Sequence, residues 1–105
     1  MIKQSYRCGV AAAMNILGGK WKLNILWVLS KSEVLRFNAL KREVKGITNI
    51  MLTRSLETLM AYDLVVKRDF QTIPPHTEYA LTERGKDLIP FLQSLDDWGK
   101  KNLID

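Results

Sequence analysis

The side chains that most often perform chemistry in proteins are sparse in this 105-residue sequence. Cys8 and His76 are the only cysteine and the only histidine, the acidic residues are scattered, and no glycine-rich phosphate loop is present. A structural metal site needs a cluster of such ligands, and Cys8 has no second thiol to resolve an oxidised form. We therefore expect no metal, no cofactor and no enzymatic activity.

The basic residues carry a clearer signal, because they are concentrated in the first half of the chain. Residues 1–54 hold ten of the 16 Lys and Arg residues but only two acidic ones, a balance of +8, whereas residues 55–105 have a balance of −3. This asymmetry favours contact with a polyanion such as nucleic acid, although a lopsided but solvated surface would give the same count.

Length and composition indicate the class of protein. A 105-residue chain with 47% hydrophobic residues suits one soluble globular domain, and no apolar run is long enough to span a membrane. One cysteine fits a reducing compartment. We therefore expect a cytoplasmic protein without membrane contact.

Apolar periodicity predicts four helices in the first part of the chain, at residues 9–17, 20–31, 37–44 and 49–62. Gly46 should end the third helix and Thr48 should cap the fourth. The buried side of the fourth helix is expected at Leu52, Leu56, Leu59 and Met60. Two short helices joined by a tight turn with glycine have the form of a helix-turn-helix.

A hairpin and a last helix should follow. Residues 64–70 and 77–82 have the composition of strands, and Pro74 and Pro75 mark the loop between them. Thr82 should cap a helix over residues 83–103, in which Pro90 would introduce a kink or restrict the first turns. The order α-α-α-α-β-β-α predicts a mostly helical α+β winged helix-turn-helix. We assign a single domain, with arms at 1–18 and 83–105, a core at 19–82 and a wing at 64–82.

Six segments of the chain, from Cys8 to about Lys100, carry a family resemblance. Cys8 itself is followed by LGGKWKLNIL (17–26), RFNALKREVKGIT (36–48), MLTRSLETL (51–59), PPHTEYALTERG (74–85) and DDWGK (96–100). Together they resemble the HxlR family of winged-helix regulators. The resemblance implies a homodimer that binds double-stranded DNA and controls transcription, with the two arms forming the dimer. The dimer contacts would then be made by Val10, Met14, Phe91, Leu95 and Trp98.

A helix of this type would enter the major groove of DNA. The base-contacting candidates are Asn49, Ile50, Thr53 and Arg54, since Asn suits adenine, Arg suits guanine and Ile or Thr suits a thymine methyl group. Phosphate contacts are expected from Lys20, Lys22, Arg36, Lys41, Arg42, Lys45 and Thr48. Lys67, Arg68 and His76 flank or lie in the wing loop, where they could touch the minor groove or the backbone. The alternatives are a solvated helix face and, for His76, an exposed loop residue.

Two questions stay open at this point. Cysteines at the place of Cys8 sense oxidants or electrophiles in some members of the family, but Cys8 could equally be a small residue buried between subunits. The sequence indicates no small-molecule effector. A winged helix can also bind another protein instead of DNA, and a steep salt dependence of DNA binding would distinguish the two.

Overall fold

Secondary-structure elements follow one another closely in the computed structural model, which describes residues 8–74 and 76–105. The elements are α1 (Gly9–Leu17), α2 (Lys22–Leu29), β1 (Leu35–Arg36), α3 (Phe37–Glu43), α4 (Asn49–Ala61), β2 (Val65–Phe70), β3 (His76–Leu81), α5 (Glu83–Lys86) and α6 (Ile89–Leu103). The predicted α+β winged helix-turn-helix is confirmed.

The three strands form one antiparallel sheet in the order β1-β3-β2. β2 and β3 are paired from Val65 opposite Leu81 to Phe70 opposite His76, which makes the wing hairpin. β1 contributes only Leu35 and Arg36, paired with Tyr79 and Glu78 of β3. β1 could not be predicted from the sequence, because two residues are too few to show an alternating pattern.

The turn between α3 and α4 forms as the sequence predicts. Gly46 has a φ of 90°, in the left-handed region that favours glycine. Ile47 follows with its side chain buried in the core. The Thr48 hydroxyl then accepts a hydrogen bond from the backbone N–H of Met51 at 3.1 Å, which caps α4. These local interactions fix the position at which α4 begins.

After α4 the chain reverses direction within three residues. Asp63 has a φ of 59°, and the N–H of Leu64 donates to the carbonyl oxygen of Leu59 at 2.9 Å, a bond pattern common where helices end. Next to this reversal, the Thr82 hydroxyl donates to the Asp63 carbonyl oxygen at 2.6 Å and caps α5. A Cβ atom at Gly85 would lie 2.2 Å from the Leu64 carbonyl oxygen, so this position requires glycine. The start of β2 and the start of α5 therefore form one tight junction.

The prediction of one continuous last helix was wrong. The chain forms α5 and α6, with Asp87 and Leu88 between them, and Pro90 lies in the first turn of α6. Proline there has no N–H to donate, and its ring would clash with the carbonyl oxygen of Lys86 if the helix were continuous. The second of the two outcomes expected for Pro90, a restriction of the first turns, is the one observed.

The buried core joins all the main elements. It contains Leu17, Ile25, Leu26, Leu29, Leu40, Val44, Ile47, Leu52, Leu56, Leu59, Leu64, Val65, Tyr79 and Leu92. α1 and α6 enter it mainly through one leucine each, Leu17 and Leu92. Over the described ranges, no helix has the length and hydropathy needed to cross a membrane.

Candidate nucleic-acid interface

The outward side of α4 carries all four predicted base-contacting residues. Asn49, Ile50, Thr53 and Arg54 are exposed, and Ile50 keeps 64% of its surface accessible. They face outward because Leu52, Leu56 and Leu59 occupy the inner side at helical spacing. No described residue forms an ion pair with Arg54. We call these four residues the outer side of α4.

The amino end of α4 offers backbone donors next to these side chains. The first N–H groups of a helix have no partner within the helix, and they favour anions such as phosphate. Thr48 supplies the cap, so its hydroxyl oxygen is already engaged by Met51. Its role in the structure is therefore the start of α4, and a phosphate contact by Thr48 stays a prediction.

A groove separates the first turns of α3 from the wing. Its volume is about 440 Å³, and we call it the wing groove; it is lined by Arg36, Phe37, Asn38, Ala39, Arg42, His76 and Thr77. Arg36 and Arg42 are exposed, and neither forms an ion pair with a residue in the described part of the chain. The structure thus brings two of the predicted phosphate contacts together with the predicted wing residue His76.

The remaining predicted phosphate contacts lie around the helix-turn-helix. The Lys20 ammonium lies 4.7 Å from the ring centre of Trp21, and the Trp21 ring in turn lies next to Gly46. This packing places Lys20 beside the turn between α3 and α4. Lys45 in that turn is exposed, whereas Lys22 and Lys41 are half-buried. Lys20 and Lys45 are thus exposed near the turn of the helix-turn-helix, and Lys22 and Lys41 are less accessible.

Lys67 and Arg68 lie in the strand that precedes the wing loop, where the predicted strand 64–70 placed them. Both lie inside β2, and the loop begins only after Phe70. The Lys67 ammonium lies 3.9 Å from a carboxylate oxygen of Asp69, which partly compensates its charge. Arg68 lines a different cleft, between the sheet and the start of α6. β2 ends at Phe70, where the predicted strand ends, and neither cation reaches the wing loop.

His76 is held by its neighbours instead of lying free in the loop. Its ring stacks on Phe70 with 4.5 Å between ring centres, and its Nε2 lies 3.6 Å from a Glu78 carboxylate oxygen. The pairing of Phe70 with His76 is the last strand pair before the wing loop. The alternative of an exposed loop residue was therefore wrong, because β3 begins at His76 and its ring is half-buried.

One ionisable group in the sheet, the Tyr79 phenol, has a raised pKa. Burial raises the pKa of the Tyr79 phenol above its ordinary value of 10.0, and the negative charge of Asp69 raises it further. Tyr79 is part of the core, and its ring contacts Phe37 of α3 with 6.4 Å between ring centres. Tyr79 thus links the wing to the helix that lines the wing groove.

Both arms present apolar side chains that this chain leaves exposed. Val10 of α1 and Phe91 of α6 keep 73% and 71% of their surface accessible, and Met14, Leu95 and Trp98 are also exposed. Several large apolar side chains exposed on the same two arms are a feature expected of an interaction surface. These are the five residues predicted for the dimer contact.

Cys8 lies at the amino end of α1, and it is exposed. Its carbonyl oxygen accepts a hydrogen bond from the N–H of Ala12 at 3.0 Å. Cys8 is thus accessible in the single chain, and its burial between subunits stays a prediction for the dimer. Among residues 8–74 and 76–105, no three His, Cys, Asp or Glu side chains are grouped so that they could hold a metal ion.

The wing tip contains a residue that the sequence analysis missed. Ile73 is fully exposed, at 102% of its reference surface. The available signal was an isoleucine in a proline-containing loop, where no strand or helix spacing accounts for an apolar residue.

Comparison with known proteins identifies relatives over nearly the whole chain. A family model described as HxlR-like helix-turn-helix matches residues 16–105. An HTH-type transcriptional regulator of Methanothermobacter thermautotrophicus is 44% identical over 95 residues, which are 90% of this chain and 72% of the relative.

Two solved structures show the same fold. A protein of Porphyromonas gingivalis W83, described as a transcriptional regulator of the MarR family, superposes with a TM-score of 0.89 at 32% identity and covers 95% of this chain and 97% of its own. The oxidised form of the redox regulator HypR superposes with a TM-score of 0.84 at 35% identity, over 90% of this chain and 97% of its own.

Proposed function

The chain belongs to the HxlR-like helix-turn-helix family of transcriptional regulators, and from this premise we propose that it is a homodimer that binds a specific, pseudo-palindromic DNA sequence. Its place of action would be the cytoplasm, at the nucleoid. The observation that carries the proposal is the outer side of α4, which is exposed, lies at the exposed amino end of the helix and is flanked by cations without ion pairs in the described chain.

The outer side of α4 would lie in the major groove and read bases. Arg54 can donate two hydrogen bonds to guanine, Asn49 can pair with adenine, and Ile50 or Thr53 can contact a thymine methyl group. Ile50 is unfavourable on a surface that faces only water, and burial against a thymine methyl group would remove it from solvent. Sequence preference would therefore come from both polar and apolar contacts.

Phosphate binding would fix the position of the helix. The wing groove brings Arg36 and Arg42 to one concave surface, where both guanidinium groups could contact the same sugar–phosphate strand. Lys20 and Lys45 would contact the same backbone on the other side of the helix-turn-helix. Such contacts release counterions, so DNA affinity should fall steeply as salt concentration rises.

Dimer formation would cover the apolar arms. Val10 and Met14 on α1 and Phe91, Leu95 and Trp98 on α6 are exposed in the single chain, and a two-fold dimer buries the same surface from both subunits. Two copies of α4 would then enter successive major grooves, about 34 Å apart along the DNA. A stable monomer by light scattering at micromolar concentration would contradict this arrangement.

Selection of bound sequences from a random duplex library tests the whole proposal. We expect enrichment of an inverted repeat with half-site centres about ten base pairs apart. Arg54→Ala should weaken binding to the selected duplex by roughly 10-fold or more and leave binding to unrelated DNA nearly unchanged. Lys101→Ala, which removes the same charge from the exposed last turn of α6, is the matched control.

The outcomes separate the competing functions. Equal losses on both kinds of DNA would assign Arg54 to a phosphate contact. Weak binding that neither selects a sequence nor depends on salt would support the alternative, a winged-helix module that binds another protein.

Cys8 supports a second part of the proposal, a response to thiol oxidants. Its exposure allows reaction, and the chain is similar to a protein described as a redox regulator, HypR. In a dimer, the two Cys8 thiols would form an S–S bond and give two electrons and two protons to diamide, which becomes the hydrazine. A single Cys8 could instead exchange with a small disulfide and release one thiol.

Cys8→Ser tests this response directly. Diamide should change the DNA affinity of the wild-type protein and leave that of the variant unchanged, with dithiothreitol restoring the wild-type affinity. A non-reducing gel distinguishes a cross-linked dimer from a mixed disulfide. An oxidant response that persists in Cys8→Ser would end the proposal for Cys8.

A further inference from the structure

The cleft that Arg68 lines, between the sheet and the start of α6, is larger than the wing groove. Its volume is about 740 Å³, and we call it the sheet cleft. It is lined by residues of β2 and β3, by residues 29–34 at the end of α2 and after it, and by Lys86 and Ile89. None of the described residues that line it belongs to the outer side of α4 or lines the wing groove. The sheet cleft is therefore a surface for which the proposed DNA contacts give no role.

The strand register places an apolar pair on the floor of the sheet cleft. Val66 is paired with Ala80, whereas the residues that precede them, Val65 and Tyr79, are buried in the core. Because successive side chains of a strand point to opposite faces, Val66 and Ala80 lie on the face away from the core, and so does Arg68. Val66 keeps 41% of its surface accessible. The floor is thus apolar and has a cation beside it.

Two further apolar side chains line the sheet cleft from outside the hairpin. Val34, just before β1, keeps 36% of its surface accessible, and Ile89, the first residue of α6, is half-buried. Sites for small molecules are mostly apolar, contain a few polar groups and have volumes of roughly 300–1,000 Å³. The sheet cleft has both the lining and the size of such a site.

Arg68 supplies the cation that is available to a ligand. It is exposed, and no residue in the described part of the chain forms an ion pair with it. The two other cations of the cleft already have contacts, since the Lys31 ammonium lies 3.7 Å from the ring centre of Trp27 and the Lys86 ammonium lies 3.4 Å from a Glu83 carboxylate oxygen. A guanidinium binds a carboxylate through two parallel hydrogen bonds, so Arg68 is the group that would hold an anion.

Two carboxylates limit the charge that a ligand can carry. Glu33 lines the sheet cleft, and Glu78 lies opposite Arg68 in the strand register, although its own close contact is with Nε2 of His76 at 3.6 Å. Both carboxylates would repel a doubly charged phosphate more strongly than a singly charged group. The surroundings therefore suit one negative charge on an otherwise apolar molecule.

The sheet cleft stays open in the proposed dimer. At about 100° per residue, Ile89 lies about 120° or more around α6 from Phe91, Leu95 and Trp98, which are the proposed dimer contacts of that helix. By contrast, a cavity of about 280 Å³ is lined by Phe91 and one of about 190 Å³ is lined by Leu95. The dimer would cover part of both, whereas a ligand could still enter the sheet cleft.

We propose that the sheet cleft binds a small organic acid, a carboxylate on an apolar body. The carboxylate accepts two hydrogen bonds from the Arg68 guanidinium, and the body packs on Val66 and Ala80 between Val34 and Ile89. This inference goes beyond the proposed function, because the binding requires no DNA. The ligand would contact the wing strands and the first residue of α6 together, and this would make it an effector of DNA binding.

Octanoate and octanamide separate the charge of a ligand from its apolar body. The two molecules have the same chain, and only octanoate carries a negative charge. Calorimetric titration of the whole protein should show saturable binding of one octanoate per subunit. Octanamide should bind about 10-fold more weakly or worse, because it cannot form the charged hydrogen bonds with Arg68. Equal affinities for the two molecules would overturn the proposal.

Three variants test the residues of the sheet cleft. Arg68→Gln should weaken octanoate binding by about 10-fold or more and leave octanamide binding unchanged. Lys67→Gln is the matched control, because it removes the same charge from the neighbouring residue of β2, which does not line the sheet cleft. Val66→Glu adds a carboxylate to the floor and should abolish octanoate binding. All three positions are exposed, so the variants should fold, and circular dichroism checks this.

Amide chemical shifts distinguish the sheet cleft from the exposed arms. Octanoate should shift the resonances of Val66, Ala80 and Ile89. Shifts confined to Val10 and Trp98 would place octanoate on the arms and overturn the proposal. So would the lack of saturable binding at millimolar octanoate, or an equal loss of affinity in Arg68→Gln and Lys67→Gln.

The effector role rests on the proposed function and has its own measurement. Saturating octanoate should change the Kd of the wild-type protein for the selected duplex, and it should have no effect on that of Arg68→Gln. An unchanged wild-type Kd would overturn the effector role. A protein that binds octanoate in the sheet cleft but selects no DNA sequence would contradict the proposed function and support the binding site, so the two failures are distinguishable.

Discussion

Replacement of Arg42 by alanine should mainly reduce the dependence of DNA affinity on salt concentration. Arg42 is exposed in the wing groove beside Arg36, and no ion pair joins it to another described residue. Each phosphate contact contributes about −0.9 to the slope of log affinity against log salt. A dimer loses two such contacts, so the slope should become less steep by about 1.8.

The slope contributed by each phosphate contact also predicts how the affinities of wild-type protein and Arg42→Ala differ. Between about 50 and 200 mM salt, one contact accounts for a factor of about 3.5 in affinity, and two contacts account for about 12. Wild-type protein should therefore lose about 12-fold more affinity over this range than Arg42→Ala does. At high salt the two proteins should bind almost equally.

Fluorescence anisotropy with a labelled duplex at five or more salt concentrations would measure these slopes. Lys101→Ala removes one charge per subunit from the end of α6 and should keep the wild-type slope. An Arg42→Ala slope equal to that of wild type would refute the reasoning, because the wing groove would then hold no phosphate. A slope lowered equally by Lys101→Ala would assign the effect to net charge alone.

Two further predictions concern stability. Thr48→Ala removes the cap that accepts from the N–H of Met51, and should lower the free energy of unfolding by about 1 kcal/mol, measured by urea denaturation, whereas Thr48→Ser should restore most of it. The pKa of Tyr79 is raised by burial and by Asp69, so the folded state disfavours the phenolate. The resulting stabilisation is present below the ordinary pKa of 10.0 and is lost as pH rises through the higher pKa of the folded protein. Urea titrations on both sides of this range should show a smaller alkaline loss for Tyr79→Phe, and an equal loss would assign it to other groups.

The helix-turn-helix could be predicted because its signals are local. Gly46 and Thr48 act within one turn of their own positions, and the leucine spacing of α4 fixes which side is buried. The outer side of α4 follows from that spacing alone. For the same reason, all four base-contacting candidates are exposed where they were expected.

The features that sequence did not reveal depend on distant contacts. β1 is defined only by its pairing with β3, more than 40 residues later. Pro90 predicted a disturbance of the last helix, but the apolar spacing of residues 88–98 did not show that the helix would be divided into α5 and α6. The stacking of His76 on Phe70 exists only once the hairpin closes. His76, which was expected to flank or lie in the wing loop, therefore contributes to the packing of the hairpin itself.

The backbone contact at Gly85 couples the position of α5 to that of the wing. The arm that begins with α5 touches the chain just where the wing starts, through the Leu64 carbonyl and the Thr82 hydroxyl. At Gly85 no side chain separates the backbone of α5 from that of Leu64. In the proposed dimer, a tilt of α5 would therefore act directly on the start of the wing hairpin, and a change at the contact between subunits would alter DNA binding without a direct contact to α4.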